Sequence, residues 1–396
     1  MCARFVKLSP YVQQQLWNWV DNPKQQEKAQ KIGLINPHQS PYLQDVKLLK
    51  KNITVVKDPA GKDCLEPAEF NFNLVKLALS KRGLIISTDY SQTNNRDDFF
   101  FLWKPTPKGL NWAKQDNIYL NHTPQTYNMI DKLKLAQAIY LKYGREDADN
   151  WFPATYWNTN SYTTRRSGKS RGRSKYQRGR IDRPKNPSAK FIVKPATSYR
   201  GQGIRVLQRF PKFINSKDIV QEYICNPMMV DGLKIDFRLW VLYARVDGRD
   251  KLFAAPNFYF RLAERKYSLS DLDPRIHVTN VGDNIKRLPS TSLDSKLGNI
   301  LLNQMIWIVK KVMVIYLGRM NIFKSGRKIR SFDRVFELMG WDFIADQTGS
   351  VKLLEINTNP DIYHPNQKIL EQTLDEVIGI VLGDCTVLSN LVEMEI

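Results

Sequence analysis

Met339-Gly340-Trp341-Asp342-Phe343-Ile344-Ala345-Asp346-Gln347-Thr348-Gly349-Ser350-Val351-Lys352-Leu353-Leu354-Glu355-Ile356-Asn357 reads as a β-hairpin that carries acids among apolar flanks. Thr348-Gly349 is a good tip. With those two as the turn, Gln347 faces Ser350, and counting back along both strands sets Asp342 opposite Glu355. Side chains alternate faces, so Asn357 points the same way as Glu355. Two carboxylates about 5 Å apart repel by roughly 3 kcal/mol at an effective dielectric of about 20, and like charges across a ladder are unfavourable. Trp341, Phe343, Leu353, Leu354 and Ile356 are too apolar for a hairpin whose acids are simply hydrated. A hard divalent cation is the expected neutraliser, since Mg²⁺ takes carboxylate and amide oxygens alongside phosphate and water. The expected metal ligands are Asp342, Glu355 and Asn357.

Upstream, Leu233 to Arg245 reads as a strand with two chemically distinct faces. Lys234, Asp236 and Arg238 share one face, while Ile235, Phe237, Leu239 and Val241 line the other. An alternating Lys/Asp/Arg face suits clamping of phosphate and carboxylate. A solvated charged face would look the same, so this segment takes its meaning from its neighbours. Phe191 to Lys194 and Ile204 to Gln208 are strands joined by a glycine-bearing turn, Ser198 to Gly203. Lys194 can reach nucleotide phosphates, and glycines let backbone N–H groups approach a polyphosphate without a Cβ in the way. The turn lacks GxxxxGK[ST] and joins strands, so it is not a Walker A loop. Gln221-Glu222-Tyr223-Ile224 ends a further strand, Ile219 to Tyr223, and could offer backbone groups to an adenine edge.

The remaining elements frame this centre. Short strands are expected at Leu84 to Ser87 and Phe99 to Trp103, and one helix from Tyr127 to Tyr143. Ile300 to Leu317 is the longest apolar stretch. Leu301, Met305, Val309, Val312 and Tyr316 recur in it at helical spacing, so Leu297 to Leu317 reads as a core helix. A closing helix runs from Gln367 to Val381. No repeat of 20–50 residues is visible.

At 396 residues the chain is long enough for two or three domains, and 42% hydrophobic residues suffice for a large core. Its 60 Lys and Arg outweigh 39 Asp and Glu, a net charge of +21 that draws acidic partners. Eleven basic residues and a single acid, Asp182, fall between Ser161 and Lys190, a stretch without apolar period that reads as a mobile loop. Four scattered cysteines, Cys2, Cys64, Cys225 and Cys385, argue against a zinc module or a disulfide scaffold and suit a reducing compartment. The N-terminus shows no apolar signal core, no myristoylation glycine and no prenylation box follows at the end, so a soluble cytoplasmic protein is expected.

In order along the chain, a set of segments resembles the tubulin tyrosine ligase-like family of ATP-grasp ligases. They are Asn121-His122-Thr123-Pro124 with Lys132, Trp151 to Tyr156, Val193-Lys194-Pro195, Arg200 to Ile204, Gln221 to Ile224, Lys234 to Arg238, His277-Val278-Thr279-Asn280, and Phe336 to Asp342 with Leu354 to Pro360. The resemblance spans about residues 120 to 380. It implies an α+β ATP-grasp fold, two α+β subdomains clasping ATP, behind an N-terminal mixed α/β domain. The expected division is 1–120, weakly matched, then 121–224 with the basic loop 161–190, then 225–396 with the metal site.

Carried over by position, Lys132 and Lys194 contact phosphates and Arg200, Gly201, Gln202, Gly203 and Ile204 form the loop over them. Gln221, Glu222, Tyr223 and Ile224 hold adenine. Lys234, Asp236, Thr279 and Asn280 complete the ATP pocket, and Asp342, Glu355 and Asn357 ligate Mg²⁺. Arg261 and Lys368 grip the incoming amino acid, with Arg238 for the reacting carboxylate or phosphate. Departures from the family pattern are Asp131-Lys132-Leu133, where Arg usually precedes the lysine and Asp follows it, and Val281 to Lys286.

The implied activity is ATP-dependent joining of a free amino acid to an acceptor carboxylate activated as an acylphosphate. The expected acceptor is an acidic tubulin C-terminal tail, which the basic loop would attract by long-range, salt-sensitive steering. The implied cofactors are ATP and Mg²⁺, and the expected address is microtubule- or cilium-associated. Glutamate is favoured as donor, with glycine, tyrosine or a non-tubulin acidic protein as alternatives. The rival from another class is a nucleic-acid binder using the Arg-Gly-Arg steps of the loop, against which its sparse aromatic residues speak. No membrane partner is expected.

Overall fold

The computed structural model describes the strands Ile53–Lys57 and Phe99–Trp103, residues 74–82 apart from 76, and the chain from 118 onward apart from 124–125, 159–183, 185, 187–188, 199–200, 247–248, 282–284, 321–334, 359, 361, 384–387 and 396. The expected strand Leu84 to Ser87, the bulk of the basic stretch and Arg200 lie outside the described residues.

A parallel three-stranded sheet comes first, in the order β1 (Ile53–Lys57), β2 (Phe99–Trp103), β3 (Ile118–Leu120). The single helix expected from Tyr127 to Tyr143 is two helices, α1 (Thr126–Ile130) and α2 (Lys132–Ala148). Asp131 makes the break. Its backbone is extended (φ −74°, ψ 109°), and its carboxylate accepts hydrogen bonds from the N–H groups of Leu133 and Lys134. An aspartate offers the backbone this alternative to continuing a helix, which apolar spacing cannot reveal.

Four antiparallel strands follow, in the spatial order β4 (Thr155–Trp157), β7 (Asp218–Glu222), β5 (Phe191–Pro195), β6 (Arg205–Leu207). Phe191, Val193 and Val220 pack with Tyr156 and Ile214 on one face. Thr155, Gln221, Ile192 and Val206 are register partners in a row across the other.

The largest sheet is built on a 14-residue strand, β9 (Leu233–Val246). Its other members are β8 (Met229–Val230), β10 (Arg249–Ala254), β11 (Tyr259–Lys266), β12 (Lys286–Pro289), β13 (Phe336–Ala345), β14 (Val351–Thr358) and β15 (Val392–Glu393). The order is β12-β11-β9-β10-β15, with β13 paired to both β9 and β14. Three helices complete the chain: α3 (Pro274–His277), α4 (Ser295–Met320) and α5 (Gln367–Leu382).

The odd-numbered face of β9 is buried from Ile235 to Tyr243: Ile235, Phe237, Leu239, Val241 and Tyr243 join the main core. There they meet the α4 stripe Leu301, Met305, Val309, Val312 and Tyr316, all essentially inaccessible. Helix α4 is long and apolar enough to cross a membrane by composition alone, but this stripe is spent on the core. Each such side chain contributes about 1.5–3 kcal/mol of burial. The even-numbered face is divided. Trp240, Leu242 and Ala244 pack with Leu370, Leu374 and Val377 of α5, whereas Lys234, Asp236 and Arg238 at the strand's start are polar and buried.

The 339–357 hairpin pairs Asp342 with Glu355, but by another route than a two-residue tip. The loop is Gln347, Thr348 and Gly349: Asp346 faces Ser350, donating to its carbonyl at 3.0 Å, and Gly349 takes the left-handed φ of 81° that closes such a turn. Gln347 therefore does not face Ser350. The one-residue offset is cancelled lower down by a bulge between Phe343↔Leu353 and Asp342↔Glu355, where Leu354 is the extra residue. The bulge re-aims the strand. Leu353 and Ile356 stay in the core, while Leu354 and Glu355, adjacent in sequence, both reach the same cleft.

Candidate functional site

Register places the charges before any side-chain geometry is considered. Arg261 of β11 faces Asp236 of β9, Arg238 of β9 faces Asp342 of β13, and Asp342 faces Glu355 of β14. The first two pairings set opposite charges against each other, the favourable arrangement across a ladder, while Asp342 and Glu355 form a like-charged pair that needs neutralising. The contacts follow. Arg238 holds Asp342 through two nitrogens, the Nη2–Oδ2 bond being 2.9 Å. Arg261 holds Asp236 in the same two-point fashion, at 2.8 and 2.5 Å, and reaches Asp342 Oδ2 at 3.1 Å. Gly340 makes room for this: a Cβ there would meet Arg238 Nη1 at 2.8 Å and Pro360 Cβ at 2.9 Å. Burial by itself would raise the Asp342 carboxyl, but Arg238 and Arg261 hold it down to about 2.

The repulsion that pointed to a cation is thus largely met by side chains. Asp342 is neutralised by two arginines, and Glu355 by Lys132, whose Nζ lies 3.1 Å from Oε2. The donor set still fits a hard cation. Asn357 lies beside both carboxylates, its Nδ2 donating to Asp342 Oδ2 at 3.2 Å and to Glu355 Oε1 at 3.4 Å, and a turn of the amide would bring Oδ1 to the same place. Among the described residues no cluster of three His, Cys, Asp or Glu forms, so two carboxylates and an amide would leave the remaining positions to phosphate and water.

These groups border an open cleft of about 790 Å³ between the two antiparallel sheets. The larger sheet presents Lys234, Asp236, Asp342 and Glu355; the smaller presents Ile192, Lys194 and Gln221. Lys194 Nζ makes no hydrogen bond or ion pair with the described residues, and burial lowers its pKa to about 8 despite Glu355 nearby. Lys234 is lowered to about 7, again first by burial, with Asp236 opposing and Lys194 adding to the shift. Its Nζ donates to the His277 carbonyl at 2.7 Å and to the Tyr223 hydroxyl at 3.2 Å. His277 completes that bracket. Nε2 lies 2.7 Å from the Asp271 carbonyl, which can only accept, so Nδ1, 2.7 Å from Tyr223 Oη, is the acceptor of a neutral ring. Burial, which lowers the His277 pKa, favours that form.

Two partly uncharged lysines facing one cleft fit a polyanion. Bringing phosphates to them restores their charge. At pH 8, calorimetry in buffers of differing ionisation enthalpy should show uptake on the order of one proton per ATP bound; none taken up would count against phosphate contact by these lysines. The sign for folding follows from the same shifts. Between about pH 7 and the ordinary lysine value the unfolded chain holds more protons, so the ligand-free protein gains stability as pH rises through that window.

Most of the expected nucleotide residues meet at this cleft. Lys132, Lys194, Gly201, Ile204, Gln221, Glu222, Tyr223, Ile224, Lys234, Asp236, Thr279 and Asn280 line it, with Asp342 and Glu355. Gly201 sits at φ 69° where a Cβ would overlap Val281, so the turn's close approach does require glycine. Gln202 is exposed, and neither it nor Gly203 is on the wall. Arg238 and Asn357 stand behind Asp342 as its supports rather than on the surface of the cleft.

Arg261 lines the cleft, but its guanidinium is engaged by Asp236 and Asp342, so it braces the acids. Lys368 is exposed in the first turn of α5, off the cleft wall. Position in a matching motif says nothing about which way a helix end faces. Sequence reasoning placed Ser198 in the glycine-bearing turn and His277 in a matching motif but missed what they do: the Ser198 carbonyl accepts from Lys132 at 2.9 Å, and His277 brackets Lys234. The run Tyr267 to His277 carried no periodic signal that could have flagged the second.

A family model described as the tubulin-tyrosine ligase family matches residues 112–394. Tubulin glycylase 3A of Drosophila melanogaster is 27% identical over 222 residues, 48% of this chain and 22% of that protein. Tubulin polyglutamylase TTLL7 of Homo sapiens is 24% identical over 374 residues, 84% of this chain and 38% of that protein. The chain thus spans well under half the length of these relatives. Among solved structures, the C-terminal domain of Pby1 from K. lactis, described as an ATP-grasp enzyme interacting with the mRNA decapping enzyme Dcp2, superposes with a TM-score of 0.57. At 15% identity, with 86% of this chain and 98% of that one covered, the likeness shows the ATP-grasp fold.

Proposed function

Because the chain belongs to the tubulin-tyrosine ligase family, we propose that it is an ATP-dependent ligase joining a free amino acid, glutamate, to a carboxylate on an acidic protein, the C-terminal tail of tubulin. The observation that carries this reading is the convergence of Lys194, Lys234, Asp342 and Glu355 on one cleft. Cations for phosphates and acids for a hard metal face each other there without any nucleophile being needed. Glutamate is supported over glycine by the length of the matches: the polyglutamylase match covers 84% of this chain, the glycylase match 48%. Tubulin as acceptor is supported by those same relatives and by the net charge of +21, which attracts acidic segments. The cytoplasmic surface of microtubules is the address this acceptor implies.

Bound Mg²⁺–ATP supplies the phosphoryl group and the charge neutralisation that activate an acceptor carboxylate for attack by an amine. The chain's own residues bind and orient. Lys132 and Lys194 would take phosphate oxygens, and Asp342, Glu355 and Asn357 would hold the metal. Tyr223 and His277 fix the ammonium of Lys234 at one point of the cleft. Arg238 and Arg261 keep Asp342 ionised at any physiological pH. Catalysis by such a site is positioning plus electrostatic stabilisation.

The deciding experiment incubates the purified chain with ATP, Mg²⁺, tubulin and each amino acid in turn, then weighs the tail peptides by mass spectrometry. Mass steps of one glutamyl residue each are expected with glutamate. Addition of glycine or tyrosine alone would replace the donor, and no ATP-dependent addition to any acidic protein would overturn the reading.

A further inference from the structure

Gln221 is almost fully buried, at 1% exposure, and lines the cleft, yet its Oε1 has no hydrogen-bond partner among the described residues. Buried polar atoms without partners are uncommon and ask for an explanation. Which end of an amide is oxygen must be inferred from its surroundings, and here the surroundings decide. Thr155, directly opposite Gln221 across β4 and β7, places Oγ1 2.6 Å from the Pro153 carbonyl oxygen. A carbonyl can only accept, so the hydroxyl proton of Thr155 is committed to Pro153. Thr155 Oγ1 can then only accept from Gln221, at 2.9 Å, which requires Nε2 on that side and leaves Oε1 as the orphan. The threonine is itself locked: it is fully buried, its N–H donates to the Tyr140 hydroxyl oxygen at 2.9 Å, and its carbonyl accepts from Arg145 Nη2 at 2.9 Å.

We propose that Thr155 is a positioning residue for base selectivity: by accepting from Gln221 Nε2 it presents Gln221 Oε1 as a fixed acceptor for an exocyclic amino group of the nucleobase. The inference rests on the nucleotide reading of the cleft given above and deepens it. An amine-bearing purine satisfies the orphan oxygen. A purine with a carbonyl at the same position sets oxygen against oxygen, leaving both without a donor. A site built around a buried polar partner rejects the analogue that lacks the matching group.

The test compares affinities of the full chain for ATP, GTP and the triphosphate of unsubstituted purine riboside, with thermal melting as the check on folding. Wild-type protein should prefer ATP to the unsubstituted analogue by about tenfold, one buried hydrogen bond's worth. Thr155→Val removes the hydroxyl at nearly constant volume and frees the amide to turn; the ATP-to-GTP preference should shrink by about tenfold. Thr155→Ser keeps the hydroxyl and should keep the preference. A folded Thr155→Val protein that weakens toward both nucleotides equally, or retains the wild-type ratio, overturns the proposal. Equal wild-type affinity for ATP and the unsubstituted analogue overturns it with no variant needed. Wild-type protein that binds none of the three sinks the ligase reading and this inference together; the other negative outcomes sink this inference alone.

Discussion

Asp342→Ala is expected to cut ATP-dependent amino-acid incorporation by at least about a thousandfold and to lower stability by about 3–5 kcal/mol. Two separate losses are combined in that result. The carboxylate lies on the cleft wall beside Glu355, so a bound metal would lose one of its two carboxylate ligands. Arg238, buried to 6% exposure, also loses the partner it grips through two nitrogens, whereas Arg261 retains Asp236. A second substitution separates the two. Asp342→Leu combined with Arg238→Met replaces the pair by apolar groups of similar size and should recover most of the melting temperature with none of the turnover. Wild-type turnover in a purified Asp342→Ala protein would refute the metal assignment. Acid titration gives an independent check. The carboxyl is depressed to about 2, so its contribution is fully present above the ordinary aspartate value and is lost as pH falls from about 4 through 2.

Lys194→Met should move affinity and stability in opposite directions. The ammonium is buried, with no hydrogen bond or ion pair among the described residues, and burial has already pulled its pKa to about 8. Replacing it with an apolar chain of like length removes a desolvated charge, so the ligand-free protein should melt higher at pH 7, by the equivalent of about 1 kcal/mol or more. ATP affinity should fall by about a hundredfold or more, because a charge-assisted contact to phosphate in a shielded cleft is lost. Differential scanning with and without ATP reads both effects. A variant that is destabilised and still binds ATP normally would mean that Lys194 is a packing residue.

Much of the candidate site was legible because strand periodicity is a local property. Alternation alone separated Lys234, Asp236 and Arg238 from Ile235, Phe237 and Leu239, and the structure puts Asp236 and Arg238 in the charged row, Lys234 on the cleft wall beside them, and the last three in the core. The pairing of Asp342 with Glu355 was reached from the hairpin tip only because two departures cancelled: a loop longer by one residue and a bulge at Leu354. Neither departure leaves a trace in hydrophobic pattern. The strand β10, from Arg249 to Ala254, and β11, from Tyr259 to Lys266, escaped notice because their polar and apolar residues do not alternate cleanly.

What the sequence by itself determined is the inventory and the rows: which residues are strand, which face of each strand is polar, and the ordered motifs of the tubulin-tyrosine ligase family. Tertiary structure alone decided what each polar group touches. Arg261 braces two aspartates, Lys368 stays at the surface, Lys194 has no hydrogen bond or ion pair among the described residues, and Thr155 fixes how Gln221 presents its amide. The reason is physical. Side-chain alternation depends on the two neighbours in the chain, whereas pairing, desolvation and hydrogen-bond direction depend on groups from strands more than a hundred residues apart, such as Arg238 and Asp342.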